Sequence, residues 1–142
     1  MQDISLHVLD IVDNSIRAGA TEIQIYIEED PDMDLLRVEI QDNGEGMDAE
    51  MVKNAVDPFF TSKLEKRVGL GLPLLAQAAR ESGGLFELNS EPGKGTRLSA
   101  TFQWSHPDRK PMGNIDGTVK LLKFTHPEIS FVYEYTKKKE EE

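Results

Sequence analysis

The sequence predicts an α+β fold, a two-layer sandwich in which a mixed, mostly antiparallel sheet carries its helices on one face. Three observations predict it. Residues 4–18 and 72–82 repeat apolar side chains at helical spacing. Residues 22–28 and 36–41 alternate polar and apolar side chains, as half-buried strands do. Two further strand-like stretches follow the second helix, so the order is helix, two strands, short helix, loop, helix, two strands.

In the first helix Val8, Ile11, Val12 and Ile16 fall on one side, Asp3 is positioned to cap the start, and Gly19 to end it. Asp10, Asp13, Asn14 and Arg17 form a polar stripe on another side. Strand 22–28 leads into an acidic turn, 29–34, containing Pro31, and strand 36–41 completes a hairpin. Two glycines break the chain after it, and residues 49–55 form a short helix capped by Asp48. Residues 58–66 are a loop. Helix 72–82 carries Pro73 in its first turn, where the missing N–H costs nothing, and Gly83 and Gly84 end it. Strands 85–89 and 97–102 are joined by a Pro- and Gly-bearing turn. Residues 105–117 hold two prolines and two glycines and read as a connection. A short helix at 118–124, a strand at 129–135 and a charge run from 137 to 142 follow. The chain thus divides into a domain at 1–103 and a C-terminal extension at 104–142.

Composition narrows the function classes. A chain of 142 residues with 38% hydrophobic and 30% charged side chains has an ordinary globular composition and builds a core unaided. It has no cysteine, which removes disulfides, thiolate metal sites and a Cys nucleophile. No apolar run approaches the roughly 20 residues that span a bilayer, and the N-terminus lacks the pattern of a signal peptide, so the expected compartment is cytoplasmic. With 26 acidic residues against 16 Lys and Arg, the net charge is −10, which weighs against non-specific binding to nucleic acid or anionic membrane. A nucleotide ligand stays open, because backbone N–H groups and a metal can hold phosphates whatever the net charge.

Four patterns bear on chemistry. Asp10 and Asn14, at i and i+4, point the same way. A carboxylate can orient water toward a phosphoryl group, and an amide oxygen is a hard ligand suited to Mg²⁺; the same spacing also describes a solvated stripe. In Asp42-Asn43-Gly44-Glu45-Gly46-Met47 the glycines let backbone approach a flat ligand, and the Asp can accept from an exocyclic amino group; it is equally the pattern of a tight turn. Val68-Gly69-Leu70-Gly71-Leu72-Pro73 opens the second helix and presents N–H donors and the positive dipole end to an anion. Its spacing is neither the P-loop nor the dinucleotide fingerprint, and a loop that needs positive φ gives the same pattern. Gly93-Lys94-Gly95-Thr96, read alone, is a hairpin turn.

Taken in order, with Phe59-Phe60-Thr61-Ser62-Lys63 between the second and third, these patterns resemble one superfamily over residues 1–103: the ATPases of gyrase, the Hsp90 chaperone, histidine kinases and the MutL mismatch-repair protein. Residues 10–21 are similar to the first MutL motif. Residues 57–63, 69–72 and 93–96 are similar to the catalytic domain of sensor histidine kinases, and these three motifs make histidine-kinase-like ATPase the better description.

The resemblance implies a Bergerat-type sandwich that binds ATP or ADP with Mg²⁺. It puts Asn14 on the metal. Asp10 falls where the family usually has a Glu that activates water, and is one methylene shorter. Asp42 would read the adenine amino group, with Thr96 behind it directly or through water; Gly44 and Gly46 would shape the pocket, and Met47 would pack beside the base. Gly69 and Gly71, with Leu70 and Leu72 between and after them, would form the phosphate side. Lys63 would reach phosphate as a point charge. Arg67 stands where a further glycine is usual, and fits either a guanidinium on phosphate or a solvent-facing side chain. The lid at 64–68 is short, which implies modest affinity and fast exchange.

None of His7, His106 and His126 stands in a phosphoacceptor setting, so any acceptor is a separate, unidentified protein. The expected function is a Mg²⁺-dependent ATP-binding domain of a signalling or regulatory kind that transfers phosphoryl groups to, or regulates, that protein. Trans-acting histidine kinases and anti-sigma factors of the serine-kinase type are two forms of it. Two alternatives stand beside it: a slow ATPase that switches partner binding, and a non-catalytic nucleotide-sensing module. Oligomeric state is open.

Overall fold

A computed structural model describes residues 3–55 and 71–138. In chain order the elements are α1 (Ile4–Arg17), β1 (Glu22–Asp30), β2 (Leu35–Asp42), α2 (Ala49–Ala55), α3 (Gly71–Glu81), β3 (Phe86–Glu91), β4 (Gly95–Gln103), α4 (Ile115–Thr125) and β5 (Ser130–Lys137). They form one mixed sheet in the order β3-β4-β2-β1-β5, in which β1 and β5 pair parallel and the other neighbours antiparallel.

Local chemistry sets the boundaries. Asp3 caps α1 by accepting from the Leu6 N–H at 3.0 Å. Gly19, at φ +82°, turns the chain out of the helix in the left-handed region that glycine adopts without strain. Asp48 caps α2 by accepting from the Met51 N–H at 2.9 Å. In β1, β2 and β4 the alternation is read out directly. Ile23, Ile25, Ile27, Leu36, Val38, Ile40, Leu98, Ala100 and Phe102 are buried on one face. They pack with Val8, Ile11 and Val12 of α1, Leu75 and Ala79 of α3, and Ile115, Val119 and Leu122 of α4. Each such aliphatic contributes about 1.5–3 kcal/mol. On the opposite face the polar partners cross-link instead, as where Arg97 meets Glu39 at 2.9 Å.

Several boundaries differ from the sequence expectation, among them the ends of β3 at Glu91 and of β5 at Lys137, and three have a cause in named contacts. First, β1 runs on through Glu29 and Asp30, both buried. Glu29 accepts from the Trp104 indole at 2.9 Å and from the Tyr135 hydroxyl, while Asp30 pairs with Lys138 at 3.3 Å. Partners distant in sequence thus turn two acids into strand. Second, α4 starts at Ile115 rather than 118, because the Asn114 side chain caps it by accepting from the Gly117 N–H at 3.0 Å. Third, β4 starts at Gly95, which pairs with Glu91. Beyond residue 103 the chain builds on the same sheet and core: β5 lies against β1, and α4 buries its apolar side beside α1.

Candidate functional site

A cleft of about 760 Å³ opens on the helical side of the sheet. Its walls come from α1 (Ile11, Asn14, Ser15), the end of β2 (Ile40, Asp42), the turn after it (Gly46, Met47), α2 (Met51, Asn54), Leu72 at the start of α3, and β4 (Thr96, Leu98). Six large apolar side chains (Ile11, Ile40, Met47, Met51, Leu72, Leu98) share the lining with polar and charged ones, of which Asp42 and Thr96 form one polar end, the composition of a small-molecule site.

Strand register assembles that polar end. Asp42 lies opposite Thr96 across β2 and β4, and Thr96 lies opposite Ser90 across β4 and β3. Both Asp42 oxygens are held: Oδ2 accepts from Ser15 Oγ at 2.6 Å and Oδ1 from the Gly44 N–H at 2.9 Å. Ser90 Oγ donates to the Gly95 carbonyl at 2.9 Å, accepts from the Met47 N–H at 2.8 Å, and touches Thr96 Oγ1 at 2.8 Å.

The turn that brings Met47 to the cleft is fastened on both flanks. Asn43 Oδ1 accepts from the Thr21 and Glu22 N–H groups at 2.8 and 3.0 Å. The Glu45 N–H donates to the Ala18 carbonyl at 2.9 Å, and the Glu45 carbonyl accepts from the Gly93 N–H at 2.7 Å. Close approach explains two glycines: a Cβ on Gly46 would lie 2.0 Å from the Glu91 carbonyl oxygen, and one on Gly95 2.0 Å from that of Asp42.

On α1, Asn14 lines the cleft, and its amide nitrogen is buried with no hydrogen-bond partner. An orphaned buried donor of this kind is uncommon and asks for a ligand. Asp10 stands one turn earlier and is not among the residues lining the cleft. Burial raises its proton affinity, against the pull of His7, and Asp13 raises it further. His7 is itself buried, with Nδ1 unpartnered; burial lowers its pKa and Asp10 opposes that.

The structure therefore gathers Asn14, Asp42, Gly46, Met47, Leu72 and Thr96 in one cleft. Gly44 is buried behind Asp42 and holds it by its N–H rather than lining the cavity. Gly71 is the first residue of α3. Lys63, Arg67, Gly69 and Leu70, with the Phe-Phe-Thr-Ser-Lys segment and the lid, lie outside the described residues. Sequence reasoning missed Ser15, Ser90 and the α2 wall. Ser15 was signalled by its place next to Asn14 on the same helix, and Ser90 by continuing the alternation of Phe86 and Leu88. Among the described residues, no three His, Asp or Glu side chains cluster as a metal site.

Residues 2–106 match the family described as histidine kinase-, DNA gyrase B- and HSP90-like ATPases. The chain is 32% identical over 112 residues to the non-motile and phage-resistance protein of Caulobacter vibrioides, covering 72% of this chain and 13% of that protein. It is 38% identical over 89 residues to the sensor protein kinase FleS of Pseudomonas aeruginosa, covering 63% of this chain and 22% of that one. The chain thus spans less than a quarter of either relative. The Aquifex aeolicus MutL ATPase domain, solved with ADP, superposes with a TM-score of 0.57 at 18% identity over 95% of this chain and 60% of that one, a likeness of fold. With three-quarters of its length inside the family match and the five-stranded sandwich to go with it, the chain belongs to the histidine kinase-, DNA gyrase B- and HSP90-like ATPases.

Proposed function

We propose that the cleft binds ATP with Mg²⁺ and that the domain acts as the nucleotide half of a phosphoryl-transfer or regulatory system whose acceptor is a separate protein. The observation that carries this is the register Asp42–Thr96 at the polar end, with an unpartnered Asn14 amide nitrogen along the same cleft. Asp42 offers acceptor capacity to an exocyclic amino group, held in place by Ser15 and Gly44. Ile40, Met47 and Leu98 offer apolar surface to a planar base. Asn14 fits the phosphate and metal end: its unpartnered amide nitrogen can donate to a phosphate oxygen, and its amide oxygen is a hard ligand for the ion. Since the described residues form no acidic metal cluster, the ion would take its remaining ligands from phosphates and water. Bound there, Mg²⁺ would neutralise phosphate charge; α3 would direct its N-terminal dipole to the same end.

Calorimetric titration of ATP, with and without Mg²⁺, tests this. Asp42→Asn turns one acceptor into a donor and is expected to weaken binding about tenfold to a hundredfold. Asn14→Ala is expected to abolish the Mg²⁺ dependence while leaving metal-free binding near wild type. Undiminished affinity in Asp42→Asn would sink the base assignment.

A second reading, slow hydrolysis, is favoured by Asp10. It stands one helical turn from Asn14, and its raised proton affinity suits a general base. Asp10→Asn is then expected to lower ATP turnover at least tenfold with binding intact. Unchanged turnover would remove Asp10 from the chemistry and leave transfer to a protein as the output.

A further inference from the structure

Ser90 does not line the cleft, yet it decides what Thr96 can say to a ligand. Its hydroxyl has three polar neighbours: the Gly95 carbonyl at 2.9 Å, the Met47 N–H at 2.8 Å and Thr96 Oγ1 at 2.8 Å. The carbonyl has no proton to give and the N–H cannot accept. Ser90 must therefore donate to Gly95 and accept from Met47. Thr96 must then donate its own proton to Ser90, because otherwise two oxygens would meet at 2.8 Å with no hydrogen between them. One proton arrangement satisfies all three contacts, and it leaves Thr96 Oγ1 facing the cleft with lone pairs only.

The neighbouring group agrees in sign. Asp42, opposite Thr96 in register, is an acceptor on both oxygens. The polar end of the cleft is thus a pair of acceptors. An exocyclic amino group, with two N–H donors, satisfies such a pair. A carbonyl oxygen in its place meets two acceptors, and a hydroxyl free to rotate would relieve that clash by turning its proton outward.

On the footing that the cleft takes a purine nucleotide, we propose that Ser90 is a positioning residue: by holding the Thr96 proton, it makes the cleft select a 6-amino over a 6-oxo purine. Ser90 touches no ligand itself and works through Thr96. Hydroxyl groups are ordinarily ambidextrous; the specificity comes from removing one of their two options.

The test compares ATP with inosine triphosphate, which differs at the 6-position by oxo for amino, by titration calorimetry on the intact chain. The wild type is expected to prefer ATP. In Ser90→Ala the Thr96 hydroxyl is released, and the preference is expected to fall about tenfold, mostly because the inosine nucleotide gains affinity. Ser90→Thr keeps the hydroxyl and is expected to restore the preference. Ser90→Ala also strips partners from Met47 and Gly95, so its melting temperature will fall; a purely structural role moves that temperature without moving the ratio of the two affinities. Should Ser90→Ala fail to fold, Ser90→Cys, of similar size and weak in hydrogen bonding, is expected to lower the ratio in the same direction. An unchanged ratio in a folded Ser90 variant that still binds ATP overturns the role of Ser90 alone. A wild type that binds neither nucleotide overturns the nucleotide assignment of the cleft, and the role of Ser90 with it.

Discussion

Gly46 sits at φ +73°, and the space where its side chain would stand is filled by the Glu91 carbonyl oxygen. Gly93 is at φ +79° with nothing within 4 Å of the same position. The two glycines separate two physical effects. Gly93→Ala meets only the left-handed backbone penalty, about 1–2 kcal/mol. Gly46→Ala meets that penalty and a collision with backbone, which relaxes only by moving the turn away from β3, and should cost about 3 kcal/mol or more. Urea unfolding of the two variants checks it, and equal losses would mean the turn has room to give. Because Met47 follows Gly46 into the cleft, the Gly46 variant should also lose ligand affinity, whereas the Gly93 variant should keep it. At this scale the sequence was informative where chemistry needs a particular residue type. Asp42, Gly46 and Thr96 stood out and lie together. Ser15 and Ser90 did not, because a serine's role depends on what folding sets beside it, here Asp42 in one case and Thr96 in the other.

Elements were legible in proportion to how local their determinants are. α1, the β1–β2 hairpin and the Asp48 cap of α2 rest on periodicity and on hydrogen bonds spanning three residues, and all could be read from the chain. The end of β1 could not. Glu29 and Asp30 look like turn residues until Trp104, Tyr135 and Lys138 arrive from more than 70 positions away. The start of α4 was hidden because Gly117 reads as a breaker, whereas here it supplies the N–H that Asn114 caps. The β1 end also carries a pH dependence. Burial works to raise the pKa of Glu29, but hydrogen bonds from Tyr135 and Trp104, together with the charges of Lys137 and Arg109, outweigh it and hold the carboxyl below its ordinary 4.5. A carboxylate with a depressed folded-state pKa stabilises above its unfolded pKa, and that contribution is lost as pH falls through the folded value. Stability should therefore decline below about pH 4.5. Glu29→Gln keeps the shape without the charge and should flatten the decline, at a cost near neutrality of about 1–2 kcal/mol. Asp3 and Asp34, also held below their ordinary range by hydrogen bonds, leave a residual slope, while Asp10 works in the opposite direction. Denaturant titrations across this range decide the matter: parallel curves for wild type and variant would show that Glu29 is not the sensor.

For the whole molecule the question is whether the part outside the family match is an appendage or a wall. The match ends at residue 106, yet α4 and β5 follow it. Ile115, Val119 and Leu122 are each at most 4% exposed, within the same core as α1 and β1. At about 1.5–3 kcal/mol for each buried aliphatic, these three alone contribute about 5–9 kcal/mol, which is the size of a domain's entire net stability. β5 adds parallel pairing along β1 from Glu22 to Glu29, and its Tyr135 closes on Glu29. A chain ending at Gln103 would expose the α1 flank and open β1 as a bare edge, a template for pairing with other chains. It is expected to lose its cooperative thermal transition and to aggregate. Adding residues 104–142 back as a separate peptide should restore at least part of the transition, since the missing pieces are a strand and a helix with preformed seats. A sharp melt of the truncated chain at the full-length temperature would instead make α4 and β5 dispensable, and would move the search for their role from stability to the binding of another molecule.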